Sequence, residues 1–125
     1  MRALVTLALC AALCLVGCAS NTSLYSWGNY EKSLYKYYKK PDTSEKHLVA
    51  LESAIASGEK NNNVAPGMYA ETGFLFLSKG DAVKATTYFS KEKETWPESS
   101  YLMDRMIQSA SRVPGNDQGG AVGAK

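Results

Sequence analysis

An all-α fold follows from three observations on this 125-residue chain. Apolar residues recur at intervals of three and four through its central part. Apolar and polar residues nowhere alternate over the length of a strand, and short breaks containing Pro, Gly or Asn divide the chain into segments of helical length. The architecture expected is five helices in antiparallel pairs with a capping helix.

The first helix is predicted from about Ser26 to Lys39, with Trp27, Tyr30, Leu34 and Tyr37 on one face and Pro41 ending it. The second opens at Asp42 with Glu45 three residues on as a capping-box partner. It carries Leu48, Leu51 and Ile55 and fades at Gly58 and Asn61-Asn62-Asn63. The third starts near Pro66, passes through Met68, Tyr69, Gly73, Phe76 and Leu77, and ends at Lys79-Gly80, a basic residue followed by a C-terminal glycine. The fourth takes Asp81 as N-cap, aligns Ala82, Ala85 and Phe89, and stops at Trp96-Pro97. The fifth, from about Glu98 to Ser111, lines up Leu102, Met103, Met106, Ile107 and Ala110.

The flanks have other compositions. Arg2 precedes an apolar run from Ala3 to Leu15, too short to span a bilayer, and small residues lead up to Cys18. Leu15-Val16-Gly17-Cys18 resembles the processing site of bacterial lipoproteins. That resemblance implies cleavage before Cys18, a diacylglyceryl group on its sulfur and an acyl chain such as palmitate on the new amine. Ala19-Ser20, in place of an aspartate after the cysteine, implies an outer-membrane address facing the periplasm. The alternative is an ordinary secretory signal with Cys18 a chance thiol. The expected organisation is a signal peptide over 1–17, a lipidated tether over 18–24, a helical domain over 25–111 and a disordered Gly-rich tail over 112–125.

Cys10 and Cys14 would leave with the signal and Cys18 would carry lipid, so no thiol remains for a disulfide, metal or nucleophile. Removal of Arg2 lowers the formal charge from +2 to +1, and the remaining acids and bases are interspersed. Neither this balance nor the address suits nucleic-acid binding.

Tyr69, Gly73, Phe76, Gly80, Ala85, Phe89 and Pro97 stand at intervals resembling one tetratricopeptide repeat, Pro66 to about Ser99. Gly73 and Ala85 are small where two antiparallel helices must approach, and the two phenylalanines fill the space between them. Thr72 and Glu92 depart from that pattern, standing where it has leucine and alanine. The first helix pair reads as a degenerate repeat and the fifth helix as a cap. A plain helical bundle is the alternative.

Over most of the domain, Tyr25-Ser26-Trp27-Gly28-Asn29-Tyr30-Glu31, Leu34-Tyr35, Pro66-Gly67-Met68-Tyr69-Ala70-Glu71 and Trp96-Pro97-Glu98-Ser99-Ser100 resemble the small bacterial lipoprotein family DUF4810. The resemblance implies a tetratricopeptide-like lipoprotein, often encoded beside other lipoproteins including one related to the curli secretion channel. It brings no catalytic residues.

A search of the residues for chemistry is equally sparse. His47 is the single histidine, which excludes a two-histidine metal site, and its place near a helix start reads as solvated. Ser-x-x-Lys occurs at Ser33, Ser57 and Ser90 without its partner motifs. No phosphate-binding glycine loop is present. Glu92 with Glu94, and Asp81 beside Glu71, read as exposed charges. No nucleophile–base pair, metal or cofactor is expected.

One pattern points to binding. Five of the eight tyrosines fall between Tyr25 and Tyr38, among lysines. With Trp27, Tyr30, Leu34 and Tyr37 turned inward, Tyr35, Tyr38, Lys32, Lys36 and Lys39 form a candidate strip for a protein, a glycan or lipid head groups; alternatively these tyrosines also pack. The function expected is a non-enzymatic adaptor in an envelope assembly, self-association included, with a cell-wall glycan or membrane-lipid binding protein as the alternative. Cys18→Ser is expected to abolish lipidation. Mass spectrometry of the mature N-terminus checks this, and an unmodified terminus at any other residue would overturn the lipoprotein reading.

Overall fold

The computed structural model describes residues 23–112, and these form five α-helices with no strand among them, as the sequence pattern predicts. The order is α1 (Tyr30–Lys39), a 3-10 turn (Pro41–Thr43), α2 (Ser44–Asn61), α3 (Met68–Ser78), α4 (Ala82–Thr95), a second 3-10 turn (Pro97–Ser99) and α5 (Ser100–Ala110). The signal segment, Cys18 and the Gly-rich tail lie outside the described residues. No helix among those described is long and apolar enough to cross a membrane.

Each helix packs against its neighbours in the chain. Side chains also join alternate helices: Tyr30 of α1 reaches Glu71 of α3, while Tyr88 and Lys91 of α4 reach Glu52 and Glu59 of α2. Helices α1 and α3 therefore lie together on one side of the stack and α2 and α4 on the other. The core joins Leu48, Leu51 and Ile55 of α2 to Met68, Leu75 and Phe76 of α3, with Phe89 and Met103 closing it from α4 and α5.

Several boundaries differ from the sequence expectation for local reasons. The first helix starts at Tyr30 rather than Ser26, because Gly28 is left-handed (φ +50°) and the Ser26 N–H donates to the Asn63 carbonyl instead of joining a helix. Trp27 consequently sits outside α1, more than a third exposed, in edge contact with Tyr25 and tilted against Tyr30. Asp42 does not cap α2: it lies within the 3-10 turn, and no side chain caps that helix. The second helix passes through Gly58 and ends in the asparagine run that the sequence marks. It continues to Asn61 and stops at Asn62, a left-handed residue whose N–H returns to the helix carbonyls. Leu102, expected on the inner stripe of α5, is exposed.

Other signals operate as read. Asp81 accepts from the Lys84 N–H as N-cap of α4. Gly80, at φ +82°, lets its own N–H and that of Asp81 bond back to Leu77 and Phe76, closing α3 with two reversed hydrogen bonds.

Two glycines are required by contact rather than by dihedral angle. A Cβ on Gly73 would stand 2.7 Å from the Phe89 ring and 3.1 Å from the Ala85 carbonyl oxygen. On Gly58 it would meet the Val64 backbone at 2.9 to 3.0 Å. Alanine gains about 1 kcal/mol over glycine in a helix interior, whereas overpacking costs about 1–3 kcal/mol. Gly58→Ala is expected to lower the melting temperature despite its higher helix propensity, because backbone cannot yield as a ring edge can. Gly73→Leu is expected to destabilise more than Gly58→Ala or Gly73→Ala. Thermal melts of the three variants check this ordering, and an unchanged melting temperature for Gly73→Leu would refute the close α3–α4 approach.

Candidate functional site

His47 is the polar centre of the described domain. The sequence reading placed it in solvent, but its side chain is buried between α1, α2 and α3. Its Nε2 lies 2.7 Å from Glu71 Oε1, its Nδ1 lies 2.8 Å from Ser33 Oγ, and Tyr30 donates its hydroxyl to Glu71 Oε2 at 2.8 Å. Tyr37 stacks on the imidazole at 5.3 Å and Tyr30 tilts against it at 5.8 Å. With Glu71 ionised, Nε2 carries the proton and donates to it. Ser33 then donates to Nδ1 of a neutral ring, or accepts from an imidazolium while donating to the Tyr30 carbonyl oxygen 2.8 Å away.

The structure thus assembles a serine–histidine–carboxylate chain that the sequence reading did not anticipate. These are the residue types of an activated nucleophile. Here the imidazole is buried and both its nitrogens are engaged by side chains of neighbouring helices, so the chain cross-links α1, α2 and α3. Glu71 is half-buried rather than an exposed charge. Among the described residues no cluster of three His, Cys, Asp or Glu side chains is placed to hold a metal ion.

Glu92 is the second correction. It is buried, and accepts from the Gly67 N–H at 2.8 Å and the Ala70 N–H at 3.3 Å, so that a carboxylate from α4 caps the first turn of α3. Burial pushes its carboxyl above the usual carboxylate range, while the backbone N–H groups of Gly67, Ala70 and Tyr69 pull it back down. Thr72, also buried, returns its hydroxyl to the Met68 carbonyl. Both departures from the repeat pattern are therefore polar groups satisfied within the core.

The seven repeat residues come together at the α3–α4 contact or its ends. Tyr69, Gly73, Phe76, Ala85 and Phe89 are buried there, Gly80 turns the chain, and Pro97 opens the 3-10 turn after α4. Phe76 stacks on Tyr88 at 5.5 Å, and Lys84 lies over the outer face of Phe76 at 4.8 Å.

The Tyr/Lys strip is exposed but divided. Tyr35 and Tyr38 project into solvent at 64% and 79% exposure, with Lys39 over the Tyr35 ring at 5.7 Å. Lys32 and Lys36 turn instead toward α2, where they line a cavity with Lys46. Sequence reasoning missed two further exposed aromatics, Phe74 of α3 and Tyr101 of α5. The available signal was their position off the apolar stripe of each helix.

These features define a small all-α protein with a hydrogen-bonded polar network among its helices and aromatic side chains left outside. Residues 24–106 match the family described as Domain of unknown function (DUF4810), and the chain belongs to that family. No curated protein and no solved structure matches the chain.

Burial and the Glu71 carboxylate push the Tyr30 phenol from 10.0 up to about 12. Because the folded value is raised, the stability this donor contributes is complete below pH 10 and is lost as pH rises through about 12. The melting temperature is expected to fall over that range. Tyr30→Phe, which starts less stable by about 1 kcal/mol for the lost hydrogen bond, is expected to fall less steeply. Parallel slopes in thermal melts of the two proteins would contradict the assignment.

Proposed function

We propose that this protein is a lipoprotein of the outer membrane, anchored through Cys18, whose tetratricopeptide-like helix pairs present their odd-numbered helices to a partner protein in a cell-envelope assembly. The observation that carries this reading is the distribution of exposed rings. All four aromatic side chains that are more than half exposed, Tyr35, Tyr38, Phe74 and Tyr101, lie on α1, α3 and α5. The even-numbered helices expose only Val49 and Val83 among large apolar residues. Single exposed valines are ordinary on a soluble surface, whereas aromatic side chains are the residues that interfaces concentrate.

The repeat reading supports the same side. Buried Tyr69 and Phe76 of α3 and buried Met103 and Ala110 of α5 stand 34 positions apart, the length of a tetratricopeptide repeat. In that register α5 is the first helix of a further pair, with no second helix following it among the described residues. Stacked helix pairs use such extended faces for binding, and an incomplete stack leaves apolar surface for a partner to cover. A lipoprotein related to the curli secretion channel, which the family resemblance implies as a neighbour, is the first candidate partner.

Photo-reactive residues placed one at a time at Tyr35, Phe74 and Tyr101, with Val49 and Val83 as the opposite side, test this in intact cells. Discrete adducts to one envelope protein are expected from the first three positions alone. Adducts only from Val49 and Val83, or none from any position, would overturn the adaptor reading.

A further inference from the structure

The cavity between α1 and the start of α2 has a composition that the partner-binding face does not explain. It is an open cavity of about 270 Å³, with Asn29, Lys32, Ser33 and Lys36 on one wall and Thr43, Lys46, His47 and Ala50 on the other. Its lining contains three lysines and no acid. None of the three lysines is engaged in the ion pairs of the described residues, which use Lys79, Lys84, Lys91 and Lys93 instead. Glu71 is outside the lining and is held on one oxygen by His47 and on the other by Tyr30.

We propose that this cavity binds an anionic phosphate group. Three ammonium groups around one opening repel one another, and a bound anion converts that repulsion into charge-assisted hydrogen bonds. The Asn29 amide supplies a neutral donor alongside the lysines, while the Thr43 hydroxyl donates to the Lys40 carbonyl and the Ser33 hydroxyl is held by the Tyr30 carbonyl and His47. The His47 contact orients Ser33 Oγ at the inner end, so the floor of the site is fixed by the same network that joins the helices. The volume falls just below the range of about 300–1,000 Å³ typical of pockets for larger ligands and suits one compact head group. Lys32 and Lys36 act with Lys46 here, apart from Tyr35, Tyr38 and Lys39, so the site is independent of the proposed protein-binding face.

The phosphate has two sources, free phosphate or the head group of an anionic phospholipid. Calorimetric titration of the full chain in uncharged detergent, with inorganic phosphate and separately with dihexanoyl phosphatidylglycerol, distinguishes them. Saturable binding of either probe, weakened about tenfold by Lys46→Gln alone and abolished by Lys32→Gln/Lys36→Gln/Lys46→Gln, is the expected result. The probe that binds identifies the source. Lys60→Gln/Lys84→Gln/Lys93→Gln removes the same charge elsewhere and is expected to bind as the parent does. Binding of neither probe, binding unaffected by the cavity variants, or equal loss in the control variant would each overturn the proposal. Circular dichroism confirms that the variants, all at partly or fully exposed lysines, remain folded. Crosslinking from Phe74 and Tyr101 is expected to be unchanged in the cavity triple variant, so failure of this site and failure of the adaptor reading are separable.

Discussion

The bond between His47 and Glu71 is the constraint on which the α1–α2–α3 arrangement depends. An imidazole in an apolar core is costly unless both nitrogens are satisfied, and a partly buried carboxylate needs donors on both oxygens. The chain meets the two requirements together: Glu71 takes Nε2 and the Tyr30 hydroxyl, and Ser33 takes Nδ1. Three helices contribute to four side chains, so none of the three can rotate or slide without leaving a buried polar atom unpartnered. Apolar packing tolerates small slips, but this hydrogen-bonded set admits a single register. The Tyr37 ring stacks on the same imidazole.

Farther along the stack, the α3–α4 pair combines a close approach with a polar clamp. Gly73 admits the Phe89 ring between the helices, and Glu92, one turn from Phe89, reaches the exposed N–H groups at the start of α3. The carboxylate accepts hydrogen bonds where the helix dipole favours negative charge, which offsets part of its desolvation. Peripheral pairs such as Lys91–Glu59 and Lys93–Asp104 are solvent-exposed and add little by comparison. The domain thus holds its helix order through interior polar groups and leaves the outer faces of the odd-numbered helices free to carry aromatic rings.

Two surfaces follow from this construction, and they differ in chemistry. Exposed rings on α1, α3 and α5 suit desolvation against a protein. The lysine-lined opening beside Ser33 suits a compact anion. Helix α1 contributes to both because its inner face is held by Tyr30, Ser33, Leu34 and Tyr37, so Tyr35 and Tyr38 project to one flank and Lys32 and Lys36 to the other. What the sequence reads as one Tyr/Lys strip is two sites divided by the helical turn.

The sequence alone determined the helical class, the number of helices and the ends governed by local chemistry. Asp81 capping α4, Gly80 reversing the chain and Pro97 ending α4 act through residues within one turn, so their signals are readable without the fold. The small residues Gly73 and Ala85 were legible because helix approach demands them at a fixed spacing. The tertiary structure decided the rest. His47, Glu71 and Glu92 read as surface charges because their partners lie 14 to 41 positions from them or from one another in the chain; no local pattern encodes such pairing. The first helix began late because Ser26 bonds to Asn63, a contact that exists only after the chain has folded. Burial of a polar group is decided by whether a partner arrives, and that is a property of the assembled stack rather than of any segment.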